Sequence, residues 1–320
     1  MPSQLIGHNS ILEALRRAHE RERLAHACLF VGPANVGKNA LARAFLVEIL
    51  GSETPLERHP DFSMVERGRD PKTGKLHGSI VLDQIQALCS RLSMAAFMGG
   101  WKVCLIEGVE WLTVEAANAL LKNLEEPHPK TLFIATAASL ERVLPTVRSR
   151  CQTIRFGRVP TLEIAKSLEA RGVSATEAAA IAHLADGRPG RALALAENPE
   201  LRSAFVAMVS GLADLAAAGS ADRLAAVDKL LPPALPFVES SERAADIIDR
   251  LVELLRDALL AAAGCGDSVM HLGLRDKTAA LSKRGVDRIA AALETALEAK
   301  KMLEENVAPR AALDRVVLQL

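Results

Sequence analysis

The segment that decides the fold is ACLFVGPANVGKNA, residues 27–40. Its apolar start predicts a short buried strand, and the glycine-rich stretch that follows has the spacing of a phosphate-binding loop. In that motif backbone N–H groups and the lysine hold phosphates, and a Ser or Thr after the lysine holds Mg²⁺. Gly32, Gly37 and Lys38 match the motif, but Asn39 replaces the hydroxyl residue. The segment predicts strand, loop and helix, and leaves hydrolysis open.

The flanking sequence continues this alternation of strands and helices. Short apolar runs indicate three further buried strands, and segments with apolar residues at helical spacing lie before, between and after them. Buried strands separated by helices predict a parallel sheet covered on both faces, hence an α/β domain. The predicted strands are residues 103–106, 131–136 and 153–156, and the predicted helices are residues 11–25, 38–50, 83–94 and 114–126.

After Pro160 the sequence shows no strand pattern and is rich in Ala, Leu and Arg. Glycine and proline interrupt it at intervals, which predicts a series of helices. We predict three domains: an α/β domain of residues 1–158, a small helical domain of residues 159–210, and a longer helical domain of residues 211–320.

Composition excludes several classes of protein. The 39 Lys and Arg residues balance the 39 Asp and Glu residues, so any contact with nucleic acid must come from a local patch. The first residues carry no signal-peptide pattern and no apolar run is long enough to cross a membrane, which favours the cytoplasm. The five cysteines are scattered without metal-site spacing, and three of them, Cys28, Cys104 and Cys151, lie in or beside apolar runs that predict burial.

The second predicted strand tests the loop independently. Phosphate-loop ATPases end this strand with an Asp for the Mg²⁺ shell and a Glu that activates water. Here the sequence is VCLIEGVEWL, so Glu107 replaces the Asp and Gly108 replaces the Glu. We expect Glu110, three residues on, to point away from the loop. Asn39 and Gly108 together indicate a loop that does not hydrolyse ATP.

Several further motifs resemble one family, the bacterial clamp-loader subunits of the AAA+ class. The resemblance covers roughly the first half of the chain, and the C-terminal ENVAPRAALDRVVLQL is similar to the last helix of those subunits. It implies an AAA+ RecA-like parallel sheet domain, a helical lid and an all-α collar that forms the oligomer. The motifs are LIGH at residues 5–8, LAHACLFVGPANVGK at residues 24–38, HPDF at residues 59–62, ANALLKNLEEP at residues 117–127 and RSRC at residues 148–151.

The altered nucleotide motifs and the intact SRC resemble those of the family's non-hydrolysing subunit. That resemblance implies a stator in a five-subunit ring, with Arg150 as an arginine finger on the neighbour's ATP. A guanidinium suits that role because it is always charged and binds phosphate oxygens in pairs. The implied partners are gamma or tau ATPase subunits, a delta subunit and, through the complex, the sliding clamp and primed DNA.

The resemblance also leads to expectations about cofactors. Many relatives carry a four-cysteine zinc module where this chain has residues 51–79, a stretch without cysteine, so we expect no zinc. In relatives that hydrolyse ATP, the lid supplies a phosphate-sensing arginine, and here Gly190 falls at that place with Arg191 displaced by one. ATP is therefore not required, and its binding is expected to be weak or non-productive.

Several alternatives for the function and for two basic segments stay open. A gamma- or tau-like subunit that hydrolyses ATP is favoured by Lys38, whereas a stand-alone nucleotide kinase is disfavoured because no acceptor site is recognisable. The basic loop of residues 67–78 can contact DNA or only solvent. The basic segment of residues 141–158 is expected to face the neighbouring subunit, with DNA as the lesser possibility.

Glu125 and Glu126 point in different directions on a helix, which favours a structural role over acid catalysis.

Overall fold

The computed structural model describes residues 5–69, 76–98, 100–265 and 269–320. The chain divides into two compact units, one of Met1–Arg171 with Gly187–Arg191, the other of Gly172–Asp186 with Ala192–Leu320. The limits proposed from the sequence after residues 158 and 210 stay predictions.

The first unit is built on a five-stranded sheet in the order β2-β3-β4-β1-β5. Every neighbouring pair is parallel, and strand β1 pairs Ala27 with Phe133 of β4 and Cys28 with Gln152 of β5. This confirms the predicted α/β fold. The strands are β1 (Ala27–Val31), β2 (Phe62–Val65), β3 (Lys102–Glu107), β4 (Thr131–Ala137) and β5 (Gln152–Arg155).

Both faces of the sheet are covered, as near-continuous apolar strands require. In β1, Leu29 packs on the face that also contains Ile106, whereas Phe30 packs on the opposite face with Leu105. Helices α3 (Leu82–Ser93) and α4 (Val114–Glu125) cover the first face, and α1 (Asn9–Glu20) and α2 (Lys38–Leu50) cover the second.

Two elements differ from the sequence prediction. Strand β2 was not predicted, because its four residues lie in a polar stretch, yet they pair with β3 at the edge of the sheet. Helix α1 was predicted to reach residue 25 but ends at Glu20, since Glu22 takes a left-handed conformation with φ of 54° that ends the helix. Of the basic loop, Arg69 and Leu76 form an antiparallel bridge, and residues 70–75 lie outside the described residues.

The remaining elements are helical, as predicted. Helices α9 to α14 of the second unit share one apolar core that includes Leu212, Leu251 and Leu313. None of the helices in the described ranges is long and apolar enough to cross a membrane. The remaining helices are α5 (Pro145–Arg148), α6 (Thr161–Glu169), α7 (Ala175–Ala185), α8 (Pro189–Glu197), α9 (Pro199–Ala217), α10 (Ser220–Leu230), α11 (Phe237–Ala262), α12 (Arg275–Ser282), α13 (Val286–Glu304) and α14 (Pro309–Gln319).

Three of the cysteines behave as small apolar residues, as the sequence predicts. Cys28 and Cys104 are buried in the sheet, and Cys151 is half-buried. Burial raises the pKa of the Cys28 thiol to about 12 and that of Cys151 to about 11. At neutral pH these thiols are therefore protonated and poor nucleophiles.

Candidate functional site

The phosphate loop opens into a cavity of about 540 Å³ at the carboxyl ends of β1, β3 and β4. This is where open parallel sheets place their ligands. Gly37, Lys38, Asn39 and Glu107, four of the residues predicted from the sequence, line this cavity. Gly32 lies at the end of β1, where its N–H donates to the carbonyl of Ala137.

Lys38 is turned onto its own loop. Its Nζ donates to the carbonyls of Gly32 at 2.6 Å and Pro33 at 2.8 Å, and the side chain is buried. Burial lowers the pKa of Lys38 to about 8, although the nearby Glu110 acts in the opposite direction. The ammonium group is thus satisfied by backbone oxygens where a working loop would offer it to phosphate.

Asn39 and Glu107 contact each other directly. The Asn39 side-chain amide donates to Glu107 Oε2 at 2.6 Å, and this fixes the amide orientation because a carboxylate only accepts. Glu107 Oε1 forms an ion pair with Arg43 at 3.2 Å. Both carboxylate oxygens are therefore occupied by donors of the chain itself.

This arrangement does not fit Mg²⁺. A hard cation needs free carboxylate or hydroxyl oxygens, and here Arg43 brings a fixed positive charge to the only carboxylate of the predicted motif. The Asn39 Oδ1 atom is buried without a hydrogen-bond partner among the described residues, but one amide oxygen does not replace an octahedral shell. No step through a bound metal is derived from this site.

Gly108 stands where the catalytic Glu would be and cannot be replaced by it without strain. Its φ of 75° lies in the left-handed region, and a Cβ atom added there would come within 2.6 Å of Trp111 Cδ1. A side chain at this position is excluded both by the backbone and by the indole ring. The absence of a carboxylate is built into the local structure.

Glu110 corrects one sequence prediction. We expected its side chain to point away from the loop, but it lines the same cavity as Lys38. Its Oε1 atom accepts a hydrogen bond from the Ala138 N–H at 2.9 Å, and its Oε2 atom is buried with no hydrogen-bond partner in the part of the chain that the structure describes. The turn of residues 109–111 after β3 brings it back to the cavity, which the spacing of three residues did not reveal.

Two arginines flank the indole ring of Trp111 in this cavity. The guanidinium carbon of Arg67 lies 4.3 Å from the ring centroid and that of Arg142 lies 4.5 Å away, both within cation–π range. Arg142 belongs to the segment that we expected to face a neighbour, and it lines the loop cavity. The expectation for the segment stays a prediction.

Gly190 meets the phosphate loop at the position predicted for the sensing arginine. Its N–H donates to the Asn35 carbonyl at 2.8 Å, and an added Cβ would lie 3.1 Å from that oxygen. Arg191, the next residue, is buried. The close approach favours glycine at this position, and the first turn of α8 contacts the loop through this backbone hydrogen bond.

Arg150 lies apart from this cavity, just after the short helix α5. Its Nε donates to Glu125 Oε1 at 2.8 Å, and its Nη2 forms an ion pair with the same oxygen. Its Nη1 donates to the Thr146 carbonyl at 2.9 Å. The side chain is about one third exposed, with a relative accessibility of 32%. The guanidinium is held in a defined position at the surface.

Comparison with known proteins gives the family. A family model described as DNA polymerase III, delta subunit, matches residues 7–160. The chain is 26% identical to DNA polymerase III subunit delta' of Bacillus subtilis over 318 residues, which covers 97% of this chain and 95% of that protein. It is 35% identical to the subunit delta' of Pseudomonas aeruginosa over 146 residues, which covers 41% of this chain and 43% of that protein.

The chain is thus similar to subunit delta' of DNA polymerase III along nearly its whole length. A solved structure of a DNA polymerase III gamma subunit-related protein from Thermotoga maritima aligns with a TM-score of 0.44 and 16% identity, covering 96% of this chain and 97% of that one. The matches to subunit delta' confirm the resemblance recognised in the sequence motifs.

The site residues predicted from the sequence divide into two groups. The structure brings the loop residues Lys38 and Asn39 together with Glu107, but it places Arg150 elsewhere on the surface. Arg43 and Trp111 were missed. Arg43 follows Asn39 by four residues in α2, so both share one helix face, and that spacing could have revealed it. No sequence signal indicates the stacking of Trp111 between two arginines.

Proposed function

We propose that this chain is a non-hydrolysing stator of the DNA polymerase III clamp loader. The observation that carries this proposal is the left-handed conformation of Gly108, whose Cβ position is blocked by Trp111. A water-activating carboxylate is therefore excluded at residue 108. The pairing of Glu107 with Asn39 and Arg43 also supports the proposal, because it occupies the carboxylate oxygens that would otherwise bind Mg²⁺.

In this proposal the chain occupies one place in a cytoplasmic five-subunit ring. Its neighbours are ATPase subunits of the gamma or tau type and a delta subunit, and the ring loads the sliding clamp on primed DNA. The helical collar, residues 211–320, provides the oligomer contacts. The chain needs neither zinc nor ATP as a cofactor, and any ATP in the loop is bound weakly or without turnover.

Steady-state ATP turnover of the purified chain in Mg²⁺ tests the proposal. We expect a rate indistinguishable from that of Lys38→Ala, which removes the ammonium group of the loop. Sustained hydrolysis by the wild-type chain that disappears in Lys38→Ala would contradict it. That result would favour the alternative of a gamma- or tau-like ATPase subunit. The retained Lys38 and a cavity large enough for a nucleotide support this alternative.

We further propose that Arg150 acts in trans on the ATP of the neighbouring subunit. Its guanidinium is charged, partly exposed and held at a fixed place by Glu125, as a residue that must reach a partner's phosphate requires. An arginine finger is worth about 10³ to 10⁵ in rate when it neutralises the charge that develops on the phosphate.

The test is the DNA-stimulated ATPase of the reconstituted loader. Arg150→Ala should assemble normally and lower the rate by orders of magnitude. Arg91→Ala, at an exposed arginine outside the segment of residues 141–158, is the control and should retain the wild-type rate. Equal rates for both variants would show that Arg150 is not a finger.

A further inference from the structure

The second unit contains a cavity separate from the phosphate-loop cavity. It has a volume of about 620 Å³ and lies between helices α7 and α9 and the segment of residues 270–274. Its lining is mainly apolar and includes Leu184, Val206, Ala207, Met270, Leu272 and Leu274. This size and character are typical of sites for small organic ligands.

A buried pair of ionisable residues forms one wall of this cavity. Asp257 is fully buried in α11, and His271, 2% exposed, lines the cavity. The Asp257 carboxylate accepts hydrogen bonds from the Met270 N–H at 2.9 Å, the His271 N–H at 2.9 Å and the His271 ring Nδ1 at 2.8 Å. Together they fix the position of the imidazole.

The pair also fixes the tautomer of the ring. Burial opposes the charge of Asp257, but the hydrogen bonds from His271 and Met270 outweigh it and lower the pKa of the carboxyl group. An ionised carboxylate only accepts, so Nδ1 must carry a proton. In the neutral ring the lone pair then lies on Nε2, which becomes a hydrogen-bond acceptor.

The Nε2 atom is buried and has no hydrogen-bond partner among the residues that the structure describes. Buried polar atoms are almost always paired, so an orphaned acceptor at a cavity wall is a feature that a ligand can satisfy. The Phe205 ring is stacked 6.4 Å from the imidazole at an interplanar angle of 19°, which restricts the ring further. The acceptor is therefore preorganised.

Two other polar side chains of the lining, Arg202 and Ser210, are engaged within the chain. Arg202 pairs with Glu177 at 2.6 Å, and the Ser210 hydroxyl accepts from Lys277 at 2.7 Å. The cavity consequently offers no ready counter-ion to a charged ligand. The matching chemistry is a neutral apolar body with one N–H or O–H donor.

We propose that this cavity binds a small, neutral, largely apolar molecule that donates one hydrogen bond to His271 Nε2. The site lies on helices outside the phosphate-loop cavity and does not depend on the proposed stator role. Because ring position and tautomer are both set by Asp257, the acceptor has a fixed orientation before a ligand binds.

Indole and benzofuran are the probes that test the proposal. Both have the same fused-ring shape, but indole carries an N–H donor where benzofuran carries an ether oxygen. Titration of the full chain by saturation-transfer NMR should give an affinity for indole roughly three- to tenfold higher, the ratio that one hydrogen bond provides. In long-range ¹H–¹⁵N spectra, indole but not benzofuran should shift the Nε2 resonance of His271.

Two variants separate the parts of the site. His271→Phe keeps an aromatic ring but no acceptor, so the two probes should bind equally. Ala207→Trp fills the cavity with the Asp257–His271 pair intact and should abolish binding of both, and it covers the case in which His271→Phe fails to fold. Ala204→Trp, at an exposed position of the same helix outside the lining, is the matched control and should bind as wild type.

Equal affinity of the wild-type chain for indole and benzofuran would overturn the assignment of His271 as the acceptor. Unchanged binding of both probes in Ala207→Trp would overturn the assignment of the cavity, and so would a lack of binding by either probe up to their solubility limits. None of these outcomes bears on ATP turnover or on Arg150.

Discussion

Arg150 is held by Glu125 through one carboxylate oxygen, which accepts from Nε at 2.8 Å and also from Nη2. The two residues come from different motifs of the sequence, LEEP and SRC, which lie 25 positions apart. The structural role expected for Glu125 thus includes holding Arg150 in place. The pair is partly exposed, so water screens much of its attraction.

The first prediction concerns the stability that this pair provides. Glu125→Gln and Arg150→Ala should each lower the free energy of unfolding by no more than about 1 kcal/mol, the range of exposed ion pairs. Urea denaturation measures it, with Glu126→Gln at the neighbouring exposed position as the control. A loss of several kcal/mol would mean that the pair supports the fold, and a rate effect of Arg150→Ala could then not be assigned to catalysis.

The second prediction concerns Gly108. Gly108→Ala should lower the free energy of unfolding by more than Gly172→Ala, since both positions have positive φ but only Gly108 has a side chain against its Cβ. The left-handed conformation alone costs roughly 1–2 kcal/mol for a residue with a Cβ. The comparison by urea denaturation isolates the contact with Trp111. Equal losses would show that the indole ring moves aside freely.

The same site leads to a third prediction. Gly108→Glu should not produce ATP turnover, because the new side chain is directed into Trp111 and Glu107 remains paired with Arg43. The double variant Gly108→Glu with Asn39→Thr should also stay inactive. A rate above that of Lys38→Ala in either variant would show that the introduced side chains are enough for ATP turnover and that the packing around them does not prevent it.

The fourth prediction is a pH dependence from Lys38. Its pKa falls from 10.5 in the unfolded chain to about 8 in the folded one, because burial disfavours the charge. Between those values the unfolded state binds more protons, so this group adds stability as pH rises from about 8 to 10.5. Relative to wild type, Lys38→Met should therefore be most stable below pH 8, where the buried lysine is charged in the wild-type chain.

This dependence is measured as the difference between the two unfolding free energies from pH 7 to 11, in which the other titrating groups cancel. The difference should shift in favour of the wild type as pH rises. A difference that does not change with pH would show that Lys38 keeps its ordinary pKa inside the loop. Phosphate bound by the loop would raise that pKa and weaken the dependence.

The fifth prediction concerns Asp257. Asp257→Ala should lower the free energy of unfolding by roughly 3–5 kcal/mol, because it leaves the donors of Met270 and His271 buried without a partner. Its lowered pKa means that this stabilisation is present at neutral pH and is lost on acidification through the folded-state pKa. Asp276→Ala, at an exposed position, should change the stability by about 0.5 kcal/mol or less.

Sequence patterns revealed the elements whose signal is local. Strand β1, the loop and α2 follow from one segment, and the helix was predicted with its observed limits of Lys38–Leu50. Strand β2 was missed because an edge strand of four residues gains its stability from pairing with β3, which no short window contains. Long-range pairing is the kind of information that local periodicity lacks.

The candidate site shows the same division. The identities of Lys38, Asn39 and Glu107 were evident from motif spacing, whereas their partners were not. Glu107 meets Arg43 across 64 positions of sequence, and Gly108 is closed off by the fold of its own turn around Trp111. Spacing indicates which groups are present, and three-dimensional packing determines which of them are already satisfied.

The guanidinium of Arg43 has a consequence for how this centre responds to its surroundings. In a metal-dependent site, the compensating charge arrives by diffusion and can be withdrawn by chelators or by a fall in Mg²⁺. Here the positive charge beside Glu107 is the guanidinium of Arg43, a side chain of helix α2 that cannot diffuse away. The local charge balance is therefore set when the chain is synthesised, and it stays constant while the divalent ion content of the cell varies.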